Sequence, residues 1–284
     1  MKKIILGTAQ LGLDYGINNH AGQPDLQKTK EILDYAFENS VRDLDTAELY
    51  GDAIQRVGAY HRATGRKFRI VNKFKAASYR SPAEMQTCVL QSLEVLDVDT
   101  YEVLMYHAFK DFLAGHFQQI IKSLQKRGAV RKTGVSIYSN EELLTAIESD
   151  IDIIQVPFNL LDNHSQRGEL LLRAKSVGKE IHVRSVFLQG LFFVAKPSSK
   201  LSPLKRELDI IEELADEYCF SIDQMALEYV YSKDYIDAIL IGVDNLDQLK
   251  KNISIFKKMN RDFLFAKIDF LRTDRTDLLS PVNW

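Results

Sequence analysis

The strongest constraint on how this chain can fold is a repeat. A short apolar run is followed by a stretch with helical spacing, and the pair recurs eight times. The runs are Ile4–Ala9, Val41–Ala47, Phe68–Phe74, Tyr101–His107, Lys132–Tyr138, Ile153–Asn159, Glu180–Phe187 and Ala238–Val243. Most are near-continuous rather than alternating, as expected of parallel strands covered by helices outside and packed on one another inside.

The intervening stretches carry helical stripes. Ile32, Leu33, Ala36 and Phe37 fall on one face. Ser81 followed by Pro82 predicts a capped helix start, with Met85, Val89, Leu93 and Leu96 as its buried side. Ile120, Ile121 and Leu124 make another stripe, and two helices, 205–218 and 222–231, fit between the seventh and eighth runs.

With 284 residues, the chain can form two ordinary domains or one large α/β barrel. No Pro/Gly/Ser-rich linker interrupts the repeat, so the expectation is an α/β fold of one domain over 1–284. It is a (β/α)8 TIM barrel over about 4–257, with an extra helix between strands seven and eight and a C-terminal tail over 258–284. An open doubly wound sheet would carry a G-x-G-x-x-G loop after the first strand. Gly7-Thr8-Ala9-Gln10-Leu11-Gly12 lacks that spacing.

Lys and Arg total 37 against 39 Asp and Glu, a net charge of −2 without a basic stripe, which argues against a nucleic-acid partner. Cys88 and Cys219 are far apart within helical patterns and are expected to be reduced, buried thiols. The apolar run at Ile4 stops at Gly7, too short for a signal peptide, and no run has the ~18 apolar residues of a membrane span. The expected location is cytoplasmic, with no membrane partner.

In a barrel, side chains at the carboxyl ends of the strands converge on one mouth. Asp45, Tyr50, Lys73 and His107 stand at or just past the ends of the second, third and fourth runs. A phenol titrates near ~10, so it gives up its proton at neutral pH only when a cation favours the ionised form. Lysine held charged by a carboxylate is such a cation, and the four groups together suit proton transfer to a carbonyl oxygen. Each has an ordinary alternative: Asp45 with Glu48 as a helix cap, Tyr50 as a ring at a turn, Lys73 reaching into water, and His107 as a structural histidine. Their joint placement favours function.

Ser136, Gln155, Asn159, Arg184 and Ser185 bring further polar groups to the same end, suited to a carboxamide or ribose. Lys196, Ser198, Ser199 and Lys200 follow the seventh strand, where barrels often bind phosphate; a solvated loop is the alternative. The histidines lack metal-ligand spacing, so no metal is expected, and no G-x-S-x-G elbow occurs.

Asp45-Thr46-Ala47, Tyr50-Gly51, Lys73 and His107 resemble the catalytic tetrad of the aldo/keto reductases, and the resemblance spans about Ile4 to Asn252. It implies a (β/α)8 barrel that holds NADP or NAD across its mouth without a Rossmann motif. It further implies Tyr50 as proton donor, Lys73 lowering its pKa, Asp45 holding Lys73, and His107 orienting the carbonyl. The implied cofactor contacts are Gly7, Thr8, Asp45, Ser136, Gln155, Arg184, Ser185, Gln189, Gly242, Gln248 and Asn252. Ser136 and Gln155 match the carboxamide positions, Asn252 an adenine contact, and Arg184 stands where the family commonly has an aromatic ring.

Three departures stand out. Ile137 replaces an Asn, Gly242-Val243 replaces Lys-Ser, and Gln248 replaces an Arg. The last two remove groups that grip the 2′-phosphate of NADP; Lys250 or Lys251 could substitute. The resemblance thus favours NADP while these residues are atypical for it. The expected activity is hydride transfer between NAD(P)H and an aldehyde, ketone or sugar-like carbonyl. A cofactor-binding barrel with a regulatory or scaffolding role is the alternative. Trp284, in the tail, either lines the substrate pocket or packs on the outer helices.

Overall fold

A computed structural model describes residues 3–19, 21–194, 197–259 and 265–284. Eight parallel strands close into a barrel in sequence order: β1 (Lys3–Gly7), β2 (Asp43–Ala47), β3 (Arg69–Phe74), β4 (Tyr101–Tyr106), β5 (Val130–Ser136), β6 (Ile153–Pro157), β7 (Glu180–Arg184) and β8 (Ala238–Ile241). The expected barrel is therefore present. Several strands end one to three residues before the apolar runs do, because the last residues of each run turn into the mouth loops.

Helices cover the outside where periodicity placed them. Ser81 accepts a hydrogen bond from Glu84 N at 3.2 Å, and Pro82 opens the helix whose buried face is Met85, Val89, Leu93 and Leu96. The helices Lys205–Glu217 and Ile222–Tyr231 both lie between β7 and β8. No helix among the described residues is long and apolar enough to cross a membrane.

The large apolar core lies between sheet and helices. Inside the barrel the apolar layer is thin: Ile5, Val71, Val103, Met105, Ile153 and Ala238 form a small separate cluster. Strand residues alternate sides, so the next inward positions on either side of this layer are polar. Asp43, Arg69, Lys132, Glu180 and His182 occupy the floor. There Glu180 accepts from His182 at 3.0 Å and also from Lys132, and its carboxyl is held far below the usual range by these donors. Asp45, Lys73, Ser136 and Gln155 occupy the opposite, carboxyl end.

Two expectations need correction. Cys219 is exposed and Cys88 only half-buried. Cys219 lies past the end of its helix in the turn that leaves it, with φ of 55°. The Asp45–Glu48 helix cap does not form: Asp45 pairs with Lys73, and Glu48 accepts from Lys75 N and the Tyr79 hydroxyl.

Candidate active site

Register explains how distant residues meet. Asp45 pairs with Val71 across β2 and β3, so Lys73, two residues on, points to the same interior face one step higher. Ser136 of β5 and Gln155 of β6 are direct cross-strand partners, and Arg184 lies opposite Pro157.

At the centre is a buried ion pair. Lys73 Nζ donates to Asp45 Oδ1, and the residues are 2% and 1% exposed. The other carboxylate oxygen, Asp45 Oδ2, accepts from Gln155 Nε2 at 2.8 Å. Thr8 braces the Asp45 backbone: its N–H and hydroxyl both donate to the Asp45 carbonyl, at 2.9 and 3.1 Å.

Tyr50 sits in the turn after β2, and that turn depends on glycine. A Cβ on Gly12 would lie 1.9 Å from the Tyr50 carbonyl oxygen and 2.7 Å from Ala53 N. Gly51 has φ of +52°, and a Cβ there would lie 2.1 Å from the Gly12 oxygen. The two glycines thus let the β1 and β2 loops pack backbone against backbone and fix the Tyr50 ring. That ring lies 5.4 Å from Lys73 Nζ and 6.1 Å from the His107 ring at an interplanar angle of 89°.

Burial pushes the Tyr50 phenol well above its ordinary pKa, and the Asp45 carboxylate adds to the effect. Burial thus outweighs the acidifying effect expected of Lys73, whose ammonium donates to Asp45. Lys73 itself is lowered by burial, against which Asp45 holds it up. His107 is pushed down to about 4 by burial and by the Lys73 cation, so its imidazole is neutral at physiological pH. Its Nδ1 is enclosed and has no partner within the protein.

These side chains line one cavity of about 590 Å³, within the ordinary size of a small-molecule site. The wall takes in Asp45, Tyr50, Lys73 and His107, together with Gly7, Ser136, Gln155, Arg184, Ser185, Gln189, Gly242, Gln248 and Asn252. Among the residues proposed from sequence, Thr8 is buried and does not reach the wall. Asn159 also stays off the wall, its amide spent on the Ser185 carbonyl at 3.1 Å and on Leu161 N and Asp162 N at 2.9 Å. Ser198, Ser199 and Lys200 do not line the cavity either, and Lys196 lies outside the described residues.

Arg184 is held on every nitrogen. Nε donates to Ser136 Oγ at 3.4 Å, Nη1 to Ser185 Oγ at 3.3 Å, and Nη2 to the Ile137 carbonyl at 2.9 Å. Its guanidinium carbon is 4.2 Å from the centre of the Tyr138 ring. Ser185, Leu188 and Gln189 all have positive φ, of 59°, 47° and 53°, a concentration of strained backbone at the cavity edge.

At the β8 end, Gln248 exchanges hydrogen bonds with Asp244, at 2.8 and 3.0 Å, and Lys251 pairs with Asp223 at 2.7 Å. Lys250 pairs with Asp247 at 3.5 Å. The tail adds Pro281 to the wall, whereas Trp284 donates from its indole N–H to the Leu278 carbonyl at 2.8 Å and packs against the core.

Sequence reasoning missed Gln10, Tyr15, Asn18, Tyr138, Phe193 and Asp244 on this wall. The stretch between Gly12 and the helix Leu26–Glu38 is long and lacks periodicity. That length was the one available sign that Tyr15, Gly16, Asn18 and Asn19 reach the mouth.

The residues suit a nicotinamide nucleotide on structural grounds. Gln155 Oε1 is buried at the cavity without a hydrogen-bond partner, although its own Nε2 is engaged. A carboxamide N–H₂ supplies the donor it lacks, and the Ser136 hydroxyl beside it has a hydrogen left to donate.

The family model described as the Aldo/keto reductase family matches residues 3–271. The uncharacterized oxidoreductase YqkF of Bacillus subtilis is 23% identical, over 89% of this chain and 90% of its own. In fold, the chain is similar to the aldo-keto reductase AKR11C1 from Bacillus halodurans, a holo form. The TM-score is 0.73 at 20% identity, over 94% of this chain and 89% of that one. It is also similar to a putative aldo-keto reductase from Pseudomonas aeruginosa, with a TM-score of 0.66 at 22% identity, over 89% and 88% of the two chains.

Proposed function

The chain belongs to the aldo/keto reductase family, and on that premise we propose that it is an NAD(P)H-dependent reductase of a small carbonyl compound, with Tyr50 as proton donor. The observation that carries the reading is the buried Asp45–Lys73 pair under a phenol and a neutral imidazole, all in one cavity. Ser136 and Gln155 would hold the carboxamide, and Gly242, Gln248 and Asn252 would border the other end of the nucleotide. The bound cofactor supplies the hydride.

The chain's own residues supply the rest. Neutral His107 offers one N–H to the substrate oxygen and so fixes the carbonyl. Because the Tyr50 phenol is raised by burial, it stays protonated throughout the physiological range and holds a proton ready to give. An alkoxide is about as basic as hydroxide, and so takes a proton even from a phenol whose pKa is raised. Negative charge that grows on the phenol as its proton leaves is met by the Lys73 ammonium, which Asp45 and Gln155 hold in place. On this account Lys73 acts on the phenolate as it forms rather than by acidifying the resting phenol.

The test is Tyr50→Phe. Positioned proton transfer contributes ~10²–10⁴ in rate, so kcat should fall by about that much while reduced nucleotide still binds. Undiminished turnover with a panel of carbonyl compounds would overturn the assignment. Nucleotide binding without turnover of any of them would favour a scaffolding role.

A further inference from the structure

Arg184 combines three properties. It lines the candidate cavity beside Ser136, it carries a full charge, and no carboxylate pairs with it among the described residues. Its hydrogen-bond partners, two hydroxyls and one carbonyl, are all neutral. The nearest cation of the cluster, Lys73, is neutralised by Asp45, and His107 is uncharged. The reacting end of the cavity therefore keeps one uncompensated positive charge. Its influence reaches Tyr50, Lys73 and His107 alike.

A guanidinium with an open fork would read as a carboxylate clamp. Here each nitrogen already makes one hydrogen bond, which leaves one N–H on each of Nη1 and Nη2, and the Tyr138 ring packs against the plane. These bonds fix the guanidinium, and with it the charge, beside Ser136.

Resting on the nucleotide reading above, we propose that Arg184 makes this site discriminate between the two redox forms of its cofactor, favouring the reduced form. The oxidised nicotinamide ring carries a positive charge and the reduced ring carries none. A fixed cation beside the carboxamide subsite therefore repels one form and leaves the other untouched. At an effective dielectric of about 20, unit charges a few ångströms apart still interact strongly enough to move a dissociation constant more than tenfold. Arg184 thereby promotes departure of the spent nucleotide and its replacement by the reduced form. The cost is a smaller driving force for carbonyl reduction on the enzyme.

The experiment compares dissociation constants and needs no turnover. Nicotinamide fluorescence reads the reduced nucleotide and calorimetry the oxidised one, for the unaltered protein, Arg184→Met, Arg184→Gln and Arg184→Lys. The unaltered protein should bind the oxidised form at least about tenfold more weakly. The two neutral variants should shrink that ratio about tenfold, or ~1.4 kcal/mol. Arg184→Lys, which keeps the charge, should hold the ratio near its original value, and melting curves show which variants are folded. If a folded neutral variant leaves the ratio unmoved, or weakens both forms equally, the inference is overturned while the nucleotide reading stands. Failure of the unaltered protein to bind either form would sink both.

Discussion

Removing either partner of the Asp45–Lys73 pair alone should destabilise the protein strongly, and removing both should not. Both residues are at most 2% exposed, so each charge has lost almost all of its water. Substituting one partner of such a pair costs about 3–5 kcal/mol, because the survivor is left charged in a dry site, whereas replacing both is often neutral. For a protein of this size, that is a fall in Tm of roughly 5–8 °C for Asp45→Asn or Lys73→Met. The double variant Asp45→Asn/Lys73→Met should regain most of it, since the introduced carboxamide would keep an oxygen for Gln155 Nε2. Urea unfolding of the four proteins at pH 7 gives a coupling energy of about 3 kcal/mol or more. The double variant should be stable but inactive, which separates the pair's part in folding from its part in chemistry. In Asp45→Asn the Lys73 pKa is depressed in the folded state. Unfolded chains then bind the extra proton, so the variant's stability should rise with pH toward the unfolded lysine value of ~10.4. Additive single effects, with coupling under about 1 kcal/mol, would refute the reasoning.

Gly12→Ala would drive a Cβ into the Tyr50 carbonyl at 1.9 Å, and a displacement of about 1 Å can cost ~10² in rate. Gly58→Ala is the control, because its equally severe clash is with Val95 O, away from the cavity; it should lower the melting temperature without changing kcat of the folded protein. His107 has a folded pKa of about 4, below the ordinary ~6.5, so the unfolded chain binds more protons between those values. Stability should therefore drop as pH falls through that window, by up to about 3 kcal/mol, and His107→Asn should drop less when urea midpoints are compared. For the nucleotide, Asp223 occupies Lys251, and Asp244 adds a carboxylate to the same wall. Dissociation constants for NADPH and NADH should accordingly lie within about a hundredfold, ~2.7 kcal/mol, and a larger preference for NADPH in a fluorescence titration would contradict this.

Strand order, helix faces and the four residues of the candidate cluster were all legible without coordinates. Their signals are local: a near-continuous apolar run or a period of 3.6, a Ser-Pro start, a carboxylate or lysine at the end of an apolar run. In a closed parallel barrel the ends of successive strands become neighbours, so the order of the runs is enough to bring Asp45, Lys73 and His107 together. Partnership is a different kind of information. Asp45 meets Gln155 across 110 positions of sequence, and no local pattern says that Asn159 turns away from the mouth while Pro281 reaches it.

The electrostatics lay furthest from the sequence. Residue types suggested that Lys73 would acidify Tyr50; burial of the phenol, with the Asp45 carboxylate nearby, reverses the outcome. Nor did the sequence distinguish a freely swinging Arg184 from one tied down at all three nitrogens. Side-chain chemistry is written residue by residue and fixes which reactions are available. The energy of a charge depends on how much water it loses and what replaces it, and only the packed barrel with its loops over the mouth decides that.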